Sequence, residues 1–331
     1  MTILVTGGAG FIGSHMVWSL VDAGKDVVII DNLSTGFSCF LPKEVPIYEM
    51  NIGDYDSVLH VIKGHNIESI IHFAGSAVVP DSVDDPLSYY CNNTSNTRTL
   101  LQAAVAGEVK NFVFSSTAAV YGGNHSAGVV ESTDLRPESP YGWSKLMSEI
   151  MIQDAGRAYG LKYKILRYFN VSGADPKGRT GQSTKDATHL IKVACEAAAG
   201  KRPCLSVFGA DYDTPDGTCV RDFIHVSDLV SAHMLALDDL RNGGKSTVLN
   251  CGYGKGYSVL DVVNSVRRVS GRSFEVKFQS RRIGDATRVV ANAESLKRDL
   301  SWQPKFEDLD VIVAHALEWE NKLVATNHNL Y

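Results

Sequence analysis

Short apolar runs alternate with stretches of helical periodicity through the first half of the chain. Residues 2–5, Thr2-Ile3-Leu4-Val5, are apolar and mostly β-branched and predict a buried strand. Residues 14–23 carry an apolar helical face made by Met16, Val17, Leu20 and Val21, with Gly24 placed to cap it. Residues 27–30 form a second buried run, closed by Asp31. The alternation continues with a strand over 47–50, a helix over 54–62 and a strand over 69–74. A helix over 86–106, a strand over 111–115, a helix over 141–159 and a strand over 163–167 follow. Such alternation implies βαβ units and a parallel sheet with right-handed crossovers. The predicted fold class is α/β, a Rossmann-type doubly wound parallel sheet.

After Asn170 the pattern loosens. Residues 173–188 are rich in Gly, Pro, Asp, Lys and Thr and read as a long loop. Mixed short strands and helices follow. A first domain is expected over 1–170 and a smaller mixed α/β domain over 171–331. Strand-like runs near 220–255 are expected to cross back to the first domain. A length of 331 residues agrees with about two domains.

The connection between the first strand and helix carries chemistry. Thr6-Gly7-Gly8-Ala9-Gly10-Phe11-Ile12-Gly13 has G-x-x-G-x-x-G spacing. Gly7 permits a sharp turn, Gly10 permits close approach of a pyrophosphate, and Gly13 permits close packing of helix on strand. The helix N-terminus then favours the phosphate charge. Asp31 lies 18 residues past Gly13 (31 − 13), where a carboxylate accepts from ribose hydroxyls. No Arg or Lys follows in Asn32-Leu33-Ser34-Thr35-Gly36, so a 2′-phosphate would meet an acid and no cation. NAD is favoured over NADP. An ordinary tight strand–helix turn is the plainer reading of the glycines alone.

Composition narrows the field of partners. Hydrophobic content of 44% and charged content of 21% are ordinary for a globular protein. A net charge of −5 argues against a nucleic-acid or anionic-membrane partner. No apolar run approaches the roughly 18 residues of a membrane span. A strand starting at residue 2 leaves no room for a signal peptide, so a cytoplasmic setting is expected. The six cysteines form no C-x-x-C and have no His at metal-ligand spacing, which predicts reduced thiols and no metal.

A second constellation lies further on. Pro140 precedes Tyr141-Gly142-Trp143-Ser144-Lys145, and a helix starting there puts Tyr141 and Lys145 one turn apart on one face. A free tyrosine, with a pKa of about 10, is a poor base at neutral pH. Lowering it to about 7 requires about 4 kcal/mol. A neighbouring ammonium and an oxidised nicotinamide ring both favour the phenolate. Thr117, in the stretch 114–122 just past a strand end, offers a hydroxyl to the same substrate oxygen. Singly, these are an exposed Tyr/Lys pair and a serine-rich strand cap. Occurring in order with the glycine turn and Asp31, they read as catalytic machinery.

G-x-x-G-x-x-G with Y-x-x-x-K at this separation resembles the extended short-chain dehydrogenase/reductase superfamily. Several stretches look closely like its UDP-glucose 4-epimerase family. They are 6–13, His72-Phe73-Ala74-Gly75, Tyr89-Tyr90-Cys91-Asn92-Asn93, 114–122, 139–145, Arg167-Tyr168-Phe169-Asn170, 220–226 and Arg281-Arg282-Ile283-Gly284-Asp285. The resemblance covers nearly the whole chain, and its last two stretches lie far from the cofactor fingerprint.

The resemblance implies a mechanism. Tyr141 removes the proton of the sugar 4-OH, Thr117 orients that oxygen, and Lys145 supports the phenolate. The 4-hydride leaves and returns to the opposite face of a 4-keto sugar, with NAD as a retained catalyst. Matched positions place Phe11, Ile12, Asp31, Asn32, Asn51, Ile52, Phe73, Ala74, Gly75, Asn92 and Phe169 around NAD. For a UDP-hexose they are Asn170, His189, Leu190, Ser206, Val207, Phe208, Arg221, Arg282, Asp285 and Val289. Arg221 and Arg282 are expected to clamp the diphosphate, and Phe208 to stack on uracil. Departures from the family are Asn51 for an Asp, His189 for an Asn and Ala77 for a Lys. At Val289 many hexose-specific relatives carry Tyr, so UDP-GlcNAc and UDP-GalNAc are expected as further substrates. A homodimer that pairs helices 86–106 and 141–159 is implied by analogy. Against this stand a nucleotide-sugar 4,6-dehydratase, a UDP-glucuronate decarboxylase, a simple dehydrogenase and a non-catalytic NAD-binding regulator. The dehydratase needs an acid and a base directly after Thr117, where Ala118 and Ala119 stand.

Overall fold

The computed structural model describes residues 2–123, 125, 128–282 and 285–326. Its first half runs β1 (Thr2–Thr6), α1 (Phe11–Asp22), β2 (Asp26–Asp31), β3 (Ile47–Glu49), α2 (Tyr55–Gly64) and β4 (Ile67–His72). Then come α3 (Val79–Asp84), α4 (Pro86–Tyr89), a π-helical segment (Tyr90–Ser95) and α5 (Asn96–Ala106). β5 (Asn111–Thr117), α6 (Pro140–Tyr159) and β6 (Lys162–Tyr168) complete this half. The second half holds β7 (Asn170–Ser172), α7 (Leu190–Ala198), β8 (Cys204–Phe208), β9 (Val220–His225), α8 (Val226–Arg241) and β10 (Thr247–Cys251). It ends with β11 (Gly256–Ser258), α9 (Val259–Ser270), β12 (Glu275–Gln279), β13 (Arg288–Val289), α10 (Glu294–Leu300) and α11 (Leu309–Ala325).

A seven-stranded sheet of order β10-β6-β5-β4-β1-β2-β3 forms the centre, and every pair in it is parallel. The chain order reverses between β1 and β4, which makes their carboxyl ends the crevice where ligands bind in such sheets. β10 comes from the second half of the chain and closes the edge beside β6. A smaller sheet of order β11-β9-β13, with β7 also on β9, and a parallel pair β8–β12 lie beyond it.

The sheet is covered on both faces. Met16, Val17 and Leu20 of α1 pack with Val113, Leu166 and Leu229 in a cluster that continues to Ile312 of α11. Val58, Leu100 and Ile152, from α2, α5 and α6, cover the other face with Ile70 and Phe112.

Two elements differ from expectation in a way that bears on the site. α1 begins at Phe11, because Gly10 is its extended N-cap at φ −72 and ψ 175. The predicted helix 86–106 is interrupted by the π-helical segment. Its wider turn leaves the Asn93 carbonyl to accept hydroxyls from Thr97 (2.5 Å) and Ser148 (3.0 Å). Among the described residues no helix is long and apolar enough to cross a membrane.

Candidate active site

The glycine turn is a cradle that side chains would fill. A Cβ on Gly13 would lie 2.0 Å from the Gly7 carbonyl oxygen, and one on Gly7 (φ +69) 2.5 Å from the Ala74 nitrogen. The N-terminus of α1 has no side-chain cap, so its amides remain available to an anion. Asp31 ends β2, where its carboxylate accepts from Ala9 N (2.9 Å) and Leu33 N (2.8 Å). Burial pushes its carboxyl up while these amides pull it back. Asn32 caps its own turn by accepting from Ser34 N (3.1 Å). These features fit a dinucleotide with a free ribose edge.

The expected nicotinamide-side residues gather at the ends of β4 and β6. Gly75 has φ +155, and a Cβ there would meet Asn93 Oδ1 at 2.9 Å and Lys145 Nζ at 3.7 Å. Asn92 donates to Ser76 Oγ (2.9 Å), and the Phe73 ring lies 4.9 Å from that of His233. Phe169 packs on Val120, Tyr121 and Leu146. Two of the positions expected around NAD have side chains engaged within the protein. Asn51 Oδ1 already accepts from Gly53 N (2.8 Å) and Asn96 Nδ2 (3.0 Å), so both lone pairs are engaged. The Ile52 side chain packs in the core with Val58.

Thr117, Tyr141 and Lys145 converge. Ser139 caps α6 by accepting from Gly142 N (3.2 Å), and Pro140 occupies its first turn, so Tyr141 and Lys145 share a buried face. The Thr117 hydroxyl stands close enough to the Tyr141 phenol to favour its ionised form, and it accepts from Ala119 N (3.1 Å). Lys145 Nζ donates to Ser115 O (3.0 Å) and lies 4.9 Å from the Phe114 ring centre. Burial lowers its pKa to about 8, with Glu149 pulling upward. The Tyr141 phenol is held above its ordinary value by burial, with Thr117 pulling it down. This is opposite to the expected depression. The Lys145 ammonium is anchored on the Ser115 carbonyl, and a second positive charge must come from a bound cofactor.

The residues expected around a UDP-hexose fall on β9 and its neighbours, on β8 and at the start of α7. Val289 pairs with Arg221 and Asn170 with Phe223. Arg221 Nη2 is 3.8 Å from Asp285 Oδ1, and the Arg282 guanidinium sits 3.6 Å over the Phe208 ring centre. Ser206 and Phe208 are half-buried on one face of β8, whereas Val207 between them is buried. His189 precedes Leu190 at the start of α7 and pairs with Gln182 (2.8 Å). Ile283 and Gly284, quoted in the resemblance, lie outside the described residues.

Some polar groups in the site were not singled out from sequence. Asn93 donates to Ser144 Oγ and Ser76 O (both 3.0 Å). His72 lies between Thr6 Oγ1 (2.7 Å) and Thr97 Oγ1 (2.9 Å). Glu149 and Arg167 form a buried ion pair behind Thr117. Glu149, four residues after Lys145, is the one with a readable signal, its helical spacing. Among the described residues no group of three or more His, Cys, Asp and Glu side chains is placed to hold a metal ion.

Comparison with known proteins identifies the family. Residues 3–252 match the model of the NAD dependent epimerase/dehydratase family. A UDP-glucose 4-epimerase of Azospirillum brasilense is 54% identical over 97% of this chain and 92% of its own length. The crystal structure of UDP-glucose 4-epimerase from Brucella ovis in complex with NAD superposes with a TM-score of 0.93 at 41% identity, covering 96% of this chain and 97% of that one. The UDP-Glc/GlcNAc 4-epimerase of Campylobacter jejuni superposes at 0.84 with 43% identity, covering 97% and 99%. The chain belongs to the NAD dependent epimerase/dehydratase family and, within it, to the UDP-glucose 4-epimerases.

Proposed function

We propose that this chain interconverts UDP-glucose and UDP-galactose by inverting C4, with NAD held as a resident cofactor. The observation that carries the reading is the convergence of Thr117, Tyr141 and Lys145 beside the glycine cradle, with Ala118 and Ala119 directly after Thr117. Bound NAD supplies the acceptor, and then the donor, of the C4 hydride. Tyr141, as phenolate, takes the 4-OH proton, and Thr117 fixes that oxygen. Arg221 and Arg282 hold the diphosphate while the 4-keto sugar turns about its link to it. Tyr141 then returns the proton on the other face. A 4,6-dehydratase would need a proton-transferring pair at Ala118 and Ala119, whose methyl groups move no proton. A regulator that only senses NAD has no use for the three converging groups. Asp31 and the absence of a nearby cation favour NAD over NADP.

Purified protein given UDP-galactose and no added cofactor is expected to produce UDP-glucose, and denaturing it should release bound nucleotide. Turnover that depends wholly on added NAD, with net NADH accumulation, would instead indicate a simple dehydrogenase.

Val289 belongs to the sugar pocket in this reading. It stands beside Arg221 and is half-buried. A small residue there leaves room for an N-acetyl group at C2. UDP-GalNAc is expected to be converted, with UDP-glucose and UDP-galactose the principal pair. Val289→Tyr should lower kcat/KM for UDP-GalNAc relative to UDP-galactose by about tenfold or more, as expected for a contact of 1–3 kcal/mol. An unchanged ratio would remove Val289 as the gate.

The chain acts as a homodimer that pairs the helical stretches 86–106 and 141–159. Trp143, Met147 and Ile150 make an exposed apolar stripe on α6, and Leu87 on α4 is 78% exposed. Met147→Glu combined with Ile150→Glu should convert a dimer to a monomer in light scattering. All six cysteines are free, which fits action in a reducing cytoplasm.

A further inference from the structure

Glu149 and Arg167 are 0% and 3% exposed by side chain, yet both are fully engaged. Arg167 Nε donates to both Glu149 oxygens (3.0 and 3.2 Å) and Nη2 to Oε2 (2.6 Å). The Ser116 hydroxyl donates to Oε1. Arg167 Nη1 donates to the Tyr121 hydroxyl (3.0 Å), which donates in turn to Asn250 Oδ1 (2.6 Å). A buried ion pair contributes little net stability over well-packed apolar residues, so stability is a poor reason for it. Its position suggests another. Ser116 lies between Ser115, whose carbonyl holds the Lys145 ammonium, and Thr117, whose hydroxyl faces the Tyr141 phenol. Glu149 is one helical turn beyond Lys145. The carboxylate therefore ties the end of β5 to the turn of α6 that carries the lysine.

We infer that Glu149, held by Arg167, is a positioning residue for epimerisation, fixing Thr117 and Lys145 relative to Tyr141 and presenting a negative charge to the Lys145 ammonium. This rests on the function proposed above. The groups around Lys145 are Tyr141 and Glu149 from its own helix, His72 from β4, Asn93 from the π-helical segment, and Arg167 from β6 behind Glu149. Burial, helped by the Lys145 charge, holds the His72 pKa at about 3, so His72 faces the ammonium as a neutral ring. Glu149 supplies the opposing anion and raises the Lys145 pKa against burial. Removing that charge makes Lys145 lose its proton at lower pH.

The test uses the NAD-loaded enzyme and Glu149→Gln, which keeps the shape and removes the charge. kcat for UDP-galactose is expected to fall at least about tenfold with KM within about twofold, as for a small misplacement of reacting groups. The alkaline limb of the kcat profile should move down by roughly half a pH unit or more. Arg167→Lys keeps the charge of the pair but loses its bidentate geometry. It should lower kcat less and leave the alkaline limb in place. Unchanged kcat and alkaline limb in Glu149→Gln would overturn the inference, whatever happens to its melting temperature. Should that variant not fold, Arg167→Lys decides. A lower melting temperature with unaltered kcat overturns the inference, and a lower kcat at constant KM supports it. A parent protein that does not epimerise UDP-galactose would instead overturn the proposed function.

Discussion

Tyr141→Phe is expected to lower kcat by well over a hundredfold while leaving the retained NAD unchanged. The variant loses one oxygen, the one that faces Thr117. The ring keeps its buried place, edge-on to Tyr89 at 6.5 Å between centres and 88° between planes. Packing and cofactor affinity should therefore persist. The lost oxygen is the proposed proton acceptor, and a positioned acid–base group contributes typically about 10²–10⁴-fold. The effect should lie high in that range. Burial raises the phenol, so water is poorly placed to substitute for it. Thr117→Ala should also lose turnover, and Thr117→Ser should keep most of it, because only the hydroxyl is needed. The measurement is single-turnover conversion of UDP-galactose beside nucleotide content per protomer. A Tyr141→Phe protein that epimerises at the parent rate would assign the base to another group.

What was legible in the sequence follows from burial. Strands covered on both faces read as unbroken apolar runs, as 27–30 and 111–115 do, and their parallel pairing follows from the helices between them. The glycine cradle was legible because Gly7 and Gly13 are required by close backbone approaches that no other residue tolerates. Three features were not. The π-helical segment lies in Tyr90-Cys91-Asn92-Asn93-Thr94-Ser95, a polar stretch whose widening is set by hydroxyls of Thr97 and of Ser148 on another helix. Glu149 is placed by its helical spacing one turn beyond Lys145, but nothing local says that Arg167 lies against it and buries it. The raised phenol of Tyr141 reflects the environment folded around it. The four-residue spacing to Lys145 describes proximity along a helix, not where the ammonium points.

Gly13→Ala should abolish cofactor retention. The added methyl would sit 2.0 Å from the Gly7 oxygen and 2.8 Å from both the Gly7 carbonyl carbon and Gly8 Cα. All three atoms are backbone, so no side chain can rotate away. Either α1 withdraws from β1 or the turn distorts. Withdrawal would expose Met16, Val17 and Leu20, each 0% exposed, at a cost of about 1.5–3 kcal/mol for each side chain brought fully into water. Distortion of the turn is the cheaper response. It shifts the amides at the start of α1 and the Ala9 N–H that holds Asp31. Less than about a tenth of the parent's nucleotide is expected to survive gel filtration, a loss of roughly 1.4 kcal/mol or more in affinity. Thr117, Tyr141 and Lys145 lie on other elements, so saturating NAD should restore part of the turnover. Gly24→Ala, at the other end of the same helix, is the control for a methyl added without a clash. Gly24 has a left-handed backbone, at φ +65, and nothing lies within 4 Å of the added methyl. It should lose about 1 kcal/mol of stability to backbone strain and keep its nucleotide. Parent-level nucleotide in Gly13→Ala, or equal loss in both variants, would show that the turn does not hold the cofactor.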